Sequence, residues 1–174
     1  SVYKIFGPGN QFVTKAKELV QQEGIAIDMP AGPSEVLVIA DETSNPEFVA
    51  ADLLSQAEHG ADSQVLLLST SEYIIESVFK ALDVQLEELP RKEIASAALK
   101  NSAAVLCRDI ETCMDLSNAY APEHLILASD NAEQWLDLVG NAGSVFVGNY
   151  SCESAGDYAS GTNHTLPTNG MARS

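Results

Sequence analysis

A chain of 174 residues with 45% hydrophobic content suits one globular domain of ordinary size, large enough to bury a core without a disulfide scaffold. Its formal net charge of −16, from 25 acidic against 9 basic residues, leaves no basic footprint for nucleic acid and disfavours an anionic membrane surface. No apolar run reaches the ~20 residues of a membrane-spanning helix, and Cys107, Cys113 and Cys152 lack CxxC or zinc-knuckle spacing, so they read as free thiols of a reducing compartment.

Val2–Phe6 reads as a strand, not as a signal peptide, and Gly7-Pro8-Gly9 ends it. With no initiator Met, the natural chain is expected to extend upstream. Asn10 can cap a helix whose apolar face is Phe12, Ala16, Leu19 and Val20, and Gly24 stops it. The glycine turn is a plain turn, because the dinucleotide fingerprint needs a glycine where Phe12 stands. Ile25–Asp28 is a further short strand. Met29–Ser34 is a loop, since two prolines and a glycine do not fit a central strand.

Val36–Ala40 is continuously apolar, as strands buried on both faces are. Asn45 and Pro46 are a cap and first residue for a helix reaching about His59. Val65–Leu68 is the next buried strand. Helix follows from about Ser71 to Leu89 and again through Ala95–Leu99, with Pro90 between. Ala103–Cys107 is a strand, Ile110–Ala119 a helix and Leu125–Ala128 a strand. Asp130 caps a helix carrying Trp135, Leu136 and Leu138, and Val145–Val147 is the last strand. From Gly148 onward there is no periodicity. This alternation predicts an α/β fold, a mainly parallel sheet with flanking helices. Residues 1–28 read as a fragment of an adjoining lobe and residues 29–174 as the main α/β lobe.

Ligand sites in such sheets are expected beyond the carboxyl ends of the strands. Polar chemistry gathers in three clusters, which together hold all 3 histidines. In Ser55-Gln56-Ala57-Glu58-His59-Gly60, Gln56 and His59 are three apart on the last turn of a helix and could ligate zinc, or could form an ordinary polar helix end. In Ala121-Pro122-Glu123-His124, adjacent carboxyl and imidazole groups could move protons near neutral pH, or could belong to a solvated loop. Neighbours on an extended segment point to opposite sides, so the two need not act on one atom. The third cluster runs from Glu153 to His164. There Asp157 could bind a metal, and His164 a metal or an anionic ligand.

With these motifs in this order, the chain resembles histidinol dehydrogenases. The matching stretches are residues 4–10, 28–36, 52–60, 122–125 and 153–167, spanning nearly its whole length. The resemblance implies an incomplete Rossmann-like lobe and a cytoplasmic, homodimeric, zinc-dependent enzyme. That enzyme oxidises L-histidinol through L-histidinal to L-histidine with two NAD, the last steps of histidine biosynthesis. By the same resemblance Gln56, His59 and Asp157 ligate zinc, and Glu123 and His124 are the catalytic acid–base pair. Ser34 and His164 contact substrate, as do the metal ligands, and Asn10 lies near the cofactor. The family's pattern places a fourth ligand, a histidine supplied across the dimer, and an acidic substrate-binding residue beyond Ser174. The chain alone is therefore expected to be inactive. A zinc hydrolase using Glu123, and a non-catalytic assembly unit, are the competing readings.

Overall fold

The structure is a computed structural model that describes residues 2–7, 11–28, 32–161 and 166–173, with the backbone alone at Gln11, Asp157 and Tyr158. Two parallel sheets are present among these residues. The smaller pairs β1 (Lys4–Ile5) with β2 (Ala26–Ile27) across α1 (Gln11–Gln22). Lys17, only 7% exposed, clamps this βαβ unit by donating to Asp28 and to the Gly7 carbonyl.

The main sheet has β3 (Glu35–Ala40), β4 (Gln64–Ser69), β5 (Ala103–Leu106), β6 (His124–Ala128) and β7 (Ser144–Val147), all parallel, in the order β5-β4-β3-β6-β7. Between them run α2 (Pro46–Ala57), α3 (Glu72–Glu88), α4 (Lys92–Leu99), α5 (Ile110–Tyr120) and a 3-10 helix (Ala132–Leu138). A short α6 (Glu153–Tyr158) follows β7.

The sheet's two faces follow from strand periodicity and crossover hand. On β3, Val36, Val38 and Ala40 meet α2, α3 and α4, while Leu37 and Ile39 meet Met114 of α5 and Trp135 of the 3-10 helix. Stepping from β3 to β4 to β5 runs one way across the sheet, and β6 to β7 runs the other. Right-handed crossovers then put the two helix sets on opposite faces. Every residue of β3 and β6 is buried, as predicted for central parallel strands.

Several boundaries differ from expectation. The Asn45–Pro46 helix ends at Ala57 rather than His59, since His59 N–H bonds the Gln56 carbonyl in a closing turn. Asp130 is no cap: the helix after it is 3-10, starts beyond Asn131 and has no side-chain cap, and Asp130 instead accepts from Asn149. The tail after Gly148, expected to be irregular, forms α6. Cys107 and Cys113 are buried free thiols and Cys152 an exposed one.

Candidate active site

The polar groups gather at the amino ends of the strands, not at the carboxyl ends where they were expected. Local chain order explains the reversal. Glu123-His124 opens β6, Ser34-Glu35 opens β3, and Gln56 and His59 end a helix running back toward the start of β4. The register sets Val36 opposite His124 and His124 opposite Ser144, so β3, β6 and β7 present their first residues along one edge.

The turn into β6 is tightly specified. Ala121 caps α5 in the left-handed region (φ 58°), redirecting the chain into Pro122 and Glu123. Gly143 N–H and Ser144 N–H bond the Pro122 and Glu123 carbonyls at 2.9 Å, and a Cβ at Gly143 would lie 2.6 Å from the Glu123 oxygen. Only glycine permits that approach. The returning segment closes the same edge: Gly32 N–H donates to Thr168 Oγ1 (2.9 Å) and Asn169 N–H to Glu35 Oε1 (3.1 Å).

Glu123 Oε2 accepts the Glu35 backbone N–H at 3.1 Å. His124, 8% exposed, has Nδ1 2.8 Å from Ser144 Oγ and its ring against Phe146 at 6.1 Å between centroids. Its Nε2 lies 3.8 Å from Glu123 Oε1 and also 3.8 Å from Glu153 Oε1. Glu123 and His124 therefore do converge, although neighbours on a strand point to opposite sides. Glu123 sits outside the strand, and its side chain folds back past the Glu35 amide.

Behind Glu153, itself 2% exposed, stands the last half of α2. Ser55 Oγ donates to Glu153 Oε2 at 3.5 Å. Burial, and then the charge of Glu153, push the Asp52 carboxyl up to about 7. Glu35 is also raised, by burial, against the opposing Asn169 and Glu123 hydrogen bonds. Gln56, 1% exposed, keeps its Oε1 without a hydrogen-bond partner among the described residues. Such an orphaned buried oxygen suits a group whose lone pairs are reserved for a cation.

Of the residues expected to form the site, Glu123 and His124 come together, and Gln56 is adjacent in sequence to Ser55, which bonds Glu153. His59 is exposed in the turn after α2, and Ser34 is half-buried beside Glu35. Asp157 lies on α6, its side chain outside what is described, while Asn10 and His164 lie outside the described residues. Among the described residues no three His, Cys, Asp or Glu side chains form a metal-binding group. Sequence reasoning gave no role to Glu153, Asp52, Glu35 or Ser144. An acidic residue on an otherwise buried helix face was the available signal for Asp52.

The comparisons with known proteins agree with one another. The family model for histidinol dehydrogenase matches residues 1–174. Histidinol dehydrogenase of Pseudoalteromonas translucida is 65% identical over 99% of this chain, and that of Bacteroides thetaiotaomicron 60% identical over 99%. The crystal structure of histidinol dehydrogenase from Elizabethkingia anophelis superposes with a TM-score of 0.95 at 67% identity, covering 98% of this chain and 40% of that one. The chain likewise spans 40% of the length of both curated relatives. It belongs to the histidinol dehydrogenase family.

Proposed function

We propose that this chain carries the acid–base and metal-donor groups of an enzyme that oxidises L-histidinol through L-histidinal to L-histidine with NAD. The observation that carries the reading is the largely buried Glu123–His124 pair, with His124 Nε2 3.8 Å from Glu123 Oε1. Alcohol oxidation needs the hydroxyl proton removed as hydride leaves, and an imidazole is suited to that near neutral pH. For His124 to take the proton at Nε2, its Nδ1 must carry hydrogen and donate to Ser144 Oγ. Glu123 and Glu153 stabilise the imidazolium that forms. Oxidation of the aldehyde then requires a water, and Glu123, steadied through Oε2 by the Glu35 amide, is the base for it.

Gln56 and His59, with Asp157 as the third donor by resemblance, would hold zinc, which when bound supplies a fixed anchor for substrate nitrogen atoms. NAD supplies the hydride acceptor, with Asn10 assigned to its neighbourhood. Ser34 and His164 complete the substrate contacts. Residues 1–28 are read as part of an adjoining lobe, and the whole enzyme as a cytoplasmic homodimer. No helix among the described residues is long and apolar enough to cross a membrane.

The test is NADH formation from histidinol by the full-length enzyme containing this segment. His124→Asn should keep zinc bound and slow turnover at least about 100-fold. His59→Ala should lose metal and activity together. Unchanged turnover in His124→Asn would remove the assignment.

A further inference from the structure

The site contains a carboxylate that the acid–base pair does not account for. Glu153 is the first residue of α6, nearly inaccessible at 2% exposure, and its Oε1 is as close to His124 Nε2 as Glu123 Oε1 is, at 3.8 Å. Its other oxygen accepts from Ser55 at 3.5 Å. Burying a carboxylate this deeply is costly unless a cation or donors compensate it. The distance to Nε2 exceeds a hydrogen bond, so the coupling is one of charge, and charge within about 4–6 Å shifts an imidazole toward its protonated form.

We propose that Glu153 is a positioning residue that holds the Nε2 side of His124 and raises the basicity of its imidazole. This rests on the reading of His124 as the base of the site. Among the described residues, the groups facing His124 come from three places. Glu123 comes from the turn before β6, Glu153 from α6, and Ser144 and Phe146 from β7. Ser55 and Asp52 of α2 act through Glu153, and Glu35 of β3 acts through its amide to Glu123. Of the two carboxylates, Glu153 is the one whose oxygen lies 3.8 Å from the imidazole.

Two measurements test this. First, the His124 imidazole is titrated by proton NMR in this chain, the 3 histidine signals being assigned by single replacements. Glu153→Gln keeps the shape and removes the charge. It should lower the His124 pKa by about one unit or more, whereas the exposed control Glu133→Gln should not move it. A change no larger than the control's overturns the proposal. Should Glu153→Gln not fold, Glu153→Asp takes its place: withdrawing the carboxylate from Nε2 should lower the His124 pKa by more than the Glu133→Asp control does, and a change no larger than the control's overturns the proposal. Second, in the full-length enzyme Glu153→Gln should reduce kcat about tenfold with KM within about twofold, and move the acid limb of the pH profile to lower pH. Parallel losses in kcat and affinity with an unmoved limb would mark a merely structural role and overturn the proposal. An NMR shift in an enzyme that oxidises no histidinol would sustain the positioning role while removing the functional reading.

Discussion

Gln56 and Asp52 lie one helical turn apart on α2, and each carries a group that folding alone does not favour. The Gln56 Oε1 is buried with no partner among the described residues, a penalty of about 1–3 kcal/mol. Gln56→Met, nearly the same shape without the polar atom, should therefore stabilise the metal-free chain by about 1 kcal/mol. The same variant should lose any stabilisation by added zinc. Urea denaturation with and without zinc reads both effects, and a less stable metal-free variant would contradict the idea that the amide is held for a cation. Asp52 makes a pH-dependent case. Its folded-state pKa of about 7 lies above the ordinary 3.8, so folding favours the neutral acid. The contribution of Asp52 to stability is then greatest at low pH, falls as pH rises from 3.8, and is fully lost above about 7. Asp52→Asn should gain on the parent between pH 5.5 and 8, by at most about 2 kcal/mol, because only the part of the shift between pH 5.5 and about 7 falls in that window. A gain that is equal at the two pH values in urea denaturation would show that burial is not what raises this carboxyl.

At the scale of elements, α2 delivers the site, and its start is well specified. Asn45 Oδ1 accepts from Glu47 N–H at 3.0 Å and Phe48 N–H at 3.4 Å, and Pro46 follows at the first helical position. Asn45→Ala should cost about 1 kcal/mol of unfolding free energy. Because the cap lies at the opposite end of α2 from Gln56, the His124 titration should be unchanged. A shift of that titration would mean the helix end is not held independently by its packing. This cap was legible in the sequence, as were the central strands β3 and β6, whose unbroken apolar runs match burial on both faces. The elements that were misread were short or atypical. α6 has 6 residues, under two turns, too few for a helical period to show. The 3-10 segment shares its apolar spacing with an α-helix, and only its backbone hydrogen bonds distinguish the two.

On the scale of the molecule, the chain spans 40% of the length of its curated relatives, so the residues proposed to move protons stand in a segment that covers less than half of the family's length. The isolated chain should show no measurable NADH formation from histidinol, even with zinc and NAD supplied. Positioning of reactants is worth roughly 7–11 kcal/mol of barrier, and a segment with 40% of the family's length is expected to forfeit much of it. Turnover within about tenfold of the full-length enzyme, assayed side by side, would show that this lobe completes the site unaided.

By itself the sequence determined the α/β class, the order of strands and helices, the cap of α2 and the residues with the right chemistry, because each depends on local periodicity or on one side chain's donors and acceptors. It also determined, through ordered motifs, the family. Only the tertiary structure decided where those residues meet. The strand order β5-β4-β3-β6-β7 is a matter of pairing between distant segments, and it aligns the first residues of β3, β6 and β7 along one edge. That edge is the amino one, since Glu123 precedes β6 and His124 opens it while α2 runs back against the sheet. Glu153 and Asp52 stayed hidden for the same reason. What singles out Glu153 is burial beside the imidazole of β6, and what singles out Asp52 is burial beside Glu153; no spacing along the chain records either contact.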